Sequence, residues 1–74
     1  MGVAKTWSGS RLRALRVDKG WSQDELARAA ITSQRNIVRW ERNHNTPGAN
    51  MVAALAHALG VEQGEFYENG KEAA

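Results

Sequence analysis

The sequence predicts an all-α domain, and three observations carry that expectation. Apolar residues recur at helical spacing in successive segments, and residues that start and stop helices bracket those segments. No stretch alternates polar with apolar residues over a strand's length. A chain of 74 residues makes one domain near the lower limit for a self-sufficient core, so most apolar side chains are needed for packing. The expected organisation is a flexible arm over residues 1–8, a compact five-helix domain over 9–68 and a polar tail over 69–74.

The first helix places Leu12, Leu15 and Arg16 on one face, with Ser8 or Ser10 available as N-cap and Gly20 as a stop. Ser22-Gln23-Asp24-Glu25 has the form of a capping box, in which serine and glutamate satisfy each other's backbone donors. It opens a second short helix with Leu26, Ala27 and Ala30 on its apolar edge. A third runs from about Gln34 to Arg42, turning Ile37 and Trp40 inward. After the polar loop Asn43-His44-Asn45-Thr46, Pro47 suits the first turn of a fourth helix. There Val52, Leu55, Ala56 and Leu59 follow the i, i+3, i+4, i+7 pattern, and Gly60 ends it. Val61 to Tyr67 makes a short fifth helix, and Asn69-Gly70 opens the tail.

The net charge of +2 conceals an asymmetry. Through position 45, nine basic residues (Lys5, Arg11, Arg13, Arg16, Lys19, Arg28, Arg35, Arg39, Arg42) stand against four acids, a balance of +5. From position 46 onward Lys71 stands against Glu62, Glu65, Glu68 and Glu72, a balance of −3. That division points to a basic face turned to a polyanion and an acidic face turned away. A pI near 9.5 agrees with it. The absence of cysteine excludes disulfide frameworks and thiolate metal sites and fits a reducing cytoplasm. No apolar run approaches a membrane span, and the N-terminus lacks the apolar region of a signal peptide. Met1-Gly2-Val3-Ala4-Lys5-Thr6 matches the myristoylation template, a short pattern that arises often by accident; the plainer expectation is a disordered start.

The third helix carries the chemistry. On a wheel of about 100° per residue, Ile37, Trp40 and Glu41 fall on one side and Arg35, Arg39 and Arg42 on the other. Like charges at i, i+4 and i, i+7 repel by a few tenths of a kcal/mol per pair, which a bound polyanion would offset. A merely solvated face usually mixes signs. Arginine reads guanine O6 and N7 with a bidentate fork, and Gln and Asn do the same for adenine N6 and N7. Gln34, Arg35 and Asn36 occupy the first turn, from which side chains reach base edges when a helix end enters the major groove. Outward-facing Val38 can meet a thymine methyl, although a lone surface valine is common.

Two short helices with a tight link between Ala30 and Ser33 fit a helix-turn-helix, the second being the recognition helix. Leu12-Arg13-Ala14-Leu15-Arg16, Gly20-Trp21-Ser22-Gln23-Asp24-Glu25-Leu26-Ala27 and Ile37-Val38-Arg39-Trp40-Glu41-Arg42 stand in register, followed by Pro47 and Ala56-His57-Ala58-Leu59-Gly60-Val61. On these blocks, Ser10 to Tyr67 resembles the lambda-repressor-like helix-turn-helix domains of phage repressors and Cro proteins. The resemblance implies a five-helix fold with the helix-turn-helix at helices two and three. It implies base contacts for Gln34, Arg35, Asn36, Val38 and Arg39. It assigns phosphate contacts to Ser22, Gln23, Ser33, Arg42, Asn43, His44, Asn45 and Thr46, with Gln23 also buttressing the reading helix. Arginine at the position of Arg16 pairs with glutamate at that of Glu41 in this family, which suits a carboxylate on the core side of the wheel.

Three positions depart from the family pattern. Ile31 stands where glycine usually takes a positive φ, and Thr32 stands where an apolar residue should follow. The expectation is that Ile31 swings into the core and the turn is reshaped. Asn43 replaces another common glycine, and asparagine tolerates the left-handed region best among the rest.

Other function classes fare worse. His44 and His57 lie near no nucleophile or acid at a motif spacing, so neither catalysis nor a metal is expected. Trp21 and Trp40 fall at core positions of the resembled family, which favours packing over base stacking, while Trp7 could lock the arm onto the domain. The second hypothesis is an antitoxin or a regulator whose helical domain binds a partner protein, but the segment from Glu68 to Ala74 is too short to wrap one. The sequence thus points to a cytoplasmic, nucleoid-associated repressor or Cro-type regulator of double-stranded operator DNA. It is expected to form a homodimer, weak or DNA-induced, with no cofactor, small-molecule ligand or membrane partner.

Overall fold

The computed structural model describes residues 5–69; residues 1–4, and with them most of the myristoylation match, and residues 70–74 of the expected tail lie outside the described residues. A three-residue strand β1 (Lys5–Trp7) leads into α1 (Gly9–Asp18), α2 (Gln23–Ala30), α3 (Gln34–Glu41) and α4 (Ala49–Leu59). A single 3-10 turn (Gln63–Phe66) and a second strand β2 (Tyr67–Asn69) follow.

Local chemistry sets the helix starts. Ser8, not Ser10, caps α1, its hydroxyl accepting from the Arg11 amide at 3.2 Å. The capping box at α2 is complete: the Glu25 amide donates to Ser22 Oγ at 3.0 Å and the Ser22 amide to Glu25 Oε1 at 2.7 Å. Ser33 caps α3 through the Asn36 amide at 3.1 Å. At α4 the N-cap is Gly48, so buried Pro47 precedes the helix instead of occupying its first turn. Gly60, at φ +70°, closes α4 and lets the Val61 amide reach the Ala56 carbonyl at 3.0 Å.

Three further expectations need correction. There are four α-helices among the described residues, because the fifth segment closes only one 3-10 turn, with the Glu65 amide on the Glu62 carbonyl at 3.0 Å. The domain is mostly helical and not purely so: β1 and β2 pair antiparallel in the register Lys5 with Asn69, Thr6 with Glu68 and Trp7 with Tyr67. Residues 5–7, placed by the sequence in the flexible arm, are thereby tied to the far end of the chain. Finally, Ile31 does not enter the core. It holds φ 58°, ψ 56° and leaves its side chain 89% exposed. The turn keeps its left-handed residue because that geometry aims the Thr32 amide at the Ala27 carbonyl, 2.8 Å away. A Cβ at this position then points to solvent, whatever its polarity.

Leu12, Leu26, Ile37, Leu55 and Phe66 are fully buried, one from each helix and one from the 3-10 turn. Trp40, Val52, Ala56 and Leu59 fill the space between them. Trp7 lies over Phe66 with ring centroids 5.4 Å apart and meets Tyr67 edge-on at 6.0 Å. Such aromatic pairs contribute about 0.5–1.5 kcal/mol beyond area burial, which helps so short a ribbon persist.

Candidate nucleic-acid interface

The wheel drawn from the sequence is realised in α3. Ile37 and Trp40 are buried, Gln34, Arg35 and Arg39 are exposed, and Arg42, capping the end, is exposed as well. Asn36 and Val38 are half-buried at the margin. Arg11, Arg16 and Arg28 each meet a carboxylate. Among the described residues Arg35, Arg39 and Arg42 meet none. The first turn of α3 carries no acid, whereas that of α2 carries Asp24 and Glu25. Positive potential at a helix start normally attracts carboxylates. In α3 it is left uncompensated and reinforced by Arg35.

Behind this face the helix is anchored. Arg16 Nε donates to Glu41 Oε2 at 2.6 Å and its second arm to Oε1 at 3.1 Å, a bidentate pair whose side chains are 10% and 3% exposed. Its remaining amino group donates to the Trp21 carbonyl at 2.8 Å. Every buried side-chain polar atom among the described residues has a partner. The pair therefore sits in a closed polar network, the condition under which a buried charge is tolerated.

Several of the other sequence-nominated residues have bonds inside the domain. Gln23 Nε2 donates to Glu41 Oε1 at 3.2 Å, which leaves it one amide proton to offer outward. Asn36 Nδ2 donates to Thr32 Oγ1 at 3.0 Å. The hydroxyls of Ser22 and Ser33 accept as helix caps and keep a proton to donate. Asn43 adopts φ 59° and its Oδ1 accepts from the Gly9 amide at 2.9 Å, so its carbonyl end is committed to α1 and only the amide end faces out. His44, Asn45 and Thr46 are exposed, and the His44 amide closes α3 on the Arg39 carbonyl at 2.9 Å.

Away from this face, His57 is exposed on α4, and half-buried Trp21 lies under the Lys19 ammonium, 4.8 Å from the ring centroid. Among the described residues no group of three His, Asp or Glu could hold a metal ion, and no helix is long and apolar enough to cross a membrane. Sequence reasoning missed one set of contacts, at the rear end of α3. The Trp7 indole donates to the Trp40 carbonyl at 3.0 Å, beside the Gly9–Asn43 bond. The sequence suggests Trp7 as a lock for the arm, but nothing in it points to the Trp40 carbonyl as the partner or to Gly9 beside it.

Comparison with known proteins places the geometry in context. The helix-turn-helix family model matches residues 12–66. The restriction-modification controller protein C.AhdI from Aeromonas hydrophila is 34% identical at a TM-score of 0.76, covering 78% of this chain and 88% of that one. The P22 c2 repressor, solved in complex with a synthetic operator, is 29% identical at 0.74 with the same coverages of 78% and 88%. SinR, a master regulator for biofilm formation solved in complex with DNA, is 30% identical at 0.71, covering 74% of this chain and 89% of that one. No curated protein matches the sequence.

Proposed function

The chain belongs to the helix-turn-helix family of Cro/C1 type, which makes it a DNA-binding transcription regulator, and from that premise we propose that it is a sequence-specific repressor of Cro type. In this reading α3 enters the major groove by its amino end. Arg35 and Gln34 address base edges, Arg39 lines the groove wall, and Val38 and Asn36 make closer contacts at the margin. The outward protons of Ser22, Gln23 and Ser33, with Arg42 and the loop of Asn43, His44, Asn45 and Thr46, hold the phosphate backbone.

One observation carries the reading: an eight-residue helix anchored from behind by a buried ion pair presents, with its cap residue Arg42, three arginines that meet no carboxylate among the described residues. A duplex supplies the missing charge. The operator complex of the P22 c2 repressor and the DNA complex of SinR support the same use of the fold here. A dimer on half-sites about 34 Å apart is the arrangement that this docking mode favours. Regulation would be steric, the bound dimer excluding polymerase or a competing regulator from the operator.

Selection of bound fragments from a random-oligonucleotide pool, followed by gel shift, tests this directly. The expected result is an enriched inverted repeat bound far more tightly than random duplex at moderate salt. Enrichment of nothing, with equal retardation of all fragments, would favour a regulator that works through a protein partner.

A further inference from the structure

Resting on that DNA-reading role, we infer that Trp7 is a positioning residue: with Gly9 and Asn43 it clamps the rear end of α3 and so sets the angle at which its front end meets DNA.

The last carbonyls of a helix have no partner within it. At α3 they are met by the start of α1. The Trp40 carbonyl accepts from the Trp7 indole at 3.0 Å and from the Asn43 amide at 3.2 Å. The Gly9 amide, in the first turn of α1, donates to Asn43 Oδ1 at 2.9 Å. Gly9 also lies so close to the carbonyls of Trp40 and Glu41 that any Cβ there would collide with both. The positive end of one helix thus abuts the negative end of another, a favourable pairing of partial charges. Trp7 is in turn fixed by strand pairing with Tyr67 and by its ring against Phe66.

Geometry makes this junction consequential. An α-helix of eight residues is about 12 Å long, so a tilt of about 5° about its rear end moves the front by about 1 Å. Hydrogen bonds to base edges do not survive an error of that size, whereas contacts from flexible arginines to phosphate do. Loosening the clamp should therefore erode sequence preference more than overall attraction to DNA.

The test is Trp7→Phe, which keeps a ring against Phe66 and Tyr67 and removes the indole donor together with part of the ring's packing, so the protection of α4 serves as the control for general loosening. It is measured at a temperature where circular dichroism shows both proteins folded. In hydrogen exchange without DNA, the Arg42 and Asn43 amides are expected to open about tenfold faster, while Leu55 and Ala56 in α4 keep their protection. On DNA, the ratio of selected-site to random-duplex affinity falls about tenfold with an unchanged salt slope. Unchanged exchange at Arg42 and Asn43 overturns the clamp, and an unchanged affinity ratio overturns the positioning role. If wild-type protein itself prefers no sequence, the function proposed above fails and the positioning role with it, and the exchange arm separates that failure from failure of the clamp. Should Trp7→Phe not fold, the wild-type indole resonance decides. The Trp7 N–H signal should shift on adding the selected duplex but not random duplex, and equal shifts overturn the inference.

Discussion

Ile31→Gly should make the domain more stable. The residue holds φ 58°, ψ 56°, a region that costs a β-branched side chain about 1–2 kcal/mol. Its side chain is 89% exposed, so the burial lost is about a tenth of a full isoleucine, about 0.2–0.3 kcal/mol. Glycine adds freedom to the unfolded chain, which removes about 0.5–1 kcal/mol. Taking strain relief toward its upper value, the balance is a gain of about 0.5–1 kcal/mol. In a domain of this size that raises Tm by about 2–8 °C. Thermal melts and urea titrations followed by far-ultraviolet circular dichroism measure it, with Ile31→Ala recovering only the part that comes from branching. A variant melting at or below wild type would refute the reasoning, and would mean that Ile31 gains from contacts larger than its exposure allows.

Other perturbations probe the anchor and the reading face. Glu41→Gln leaves the Arg16 guanidinium buried without its counter-charge, and should destabilise by about 3–5 kcal/mol in a urea titration; an unmoved midpoint would show that the pair does not support the fold. Gly9→Ala drives a methyl into two backbone carbonyls that cannot rotate aside, with an expected loss of about 1–3 kcal/mol in the same assay. Arg35→Ala should relax preference at a single base pair by about 1–3 kcal/mol in competition gel shifts while leaving random-duplex binding nearly as before. Gln23→Ala should instead weaken binding to all sequences alike, and lower Tm as well, because its amide also bonds Glu41. Identical losses on selected and random duplex for both variants would overturn that division of labour.

Features governed by neighbours in sequence were legible. The capping box of Ser22 and Glu25, the stop at Gly60 and the inward stripe of Val52, Leu55, Ala56 and Leu59 all depend on residues within a few positions of one another. The opposed faces of α3 followed from the helical period alone. The pairing of Arg16 with Glu41 needed the family resemblance, since 25 positions separate them. What escaped depends on distant partners. Lys5–Trp7 has no intrinsic strand signature and becomes a strand only because Tyr67–Asn69 is beside it. Pro47 suits a helix start by type, but the loop before α4 runs one residue further and places Gly48 at the cap. The hydrophobicity of Ile31 argues for an inward side chain, but the turn's hydrogen bonds fix the direction of its Cβ outward. At the interface, neither the side-chain type of Asn36 nor the resemblance that nominates Gln23 and Asn43 reveals that each already spends a bond inside the domain.

The ribbon that sets Lys5 opposite Asn69 brings the first and last described residues side by side. A short bridge could weld them, and the backbone could be reopened in the exposed stretch of Asn45 and Thr46, yielding a circular permutant with its helices undisturbed. The same closure spans almost the whole backbone, so it belongs to the late stage of folding, after the nearer helix contacts have formed.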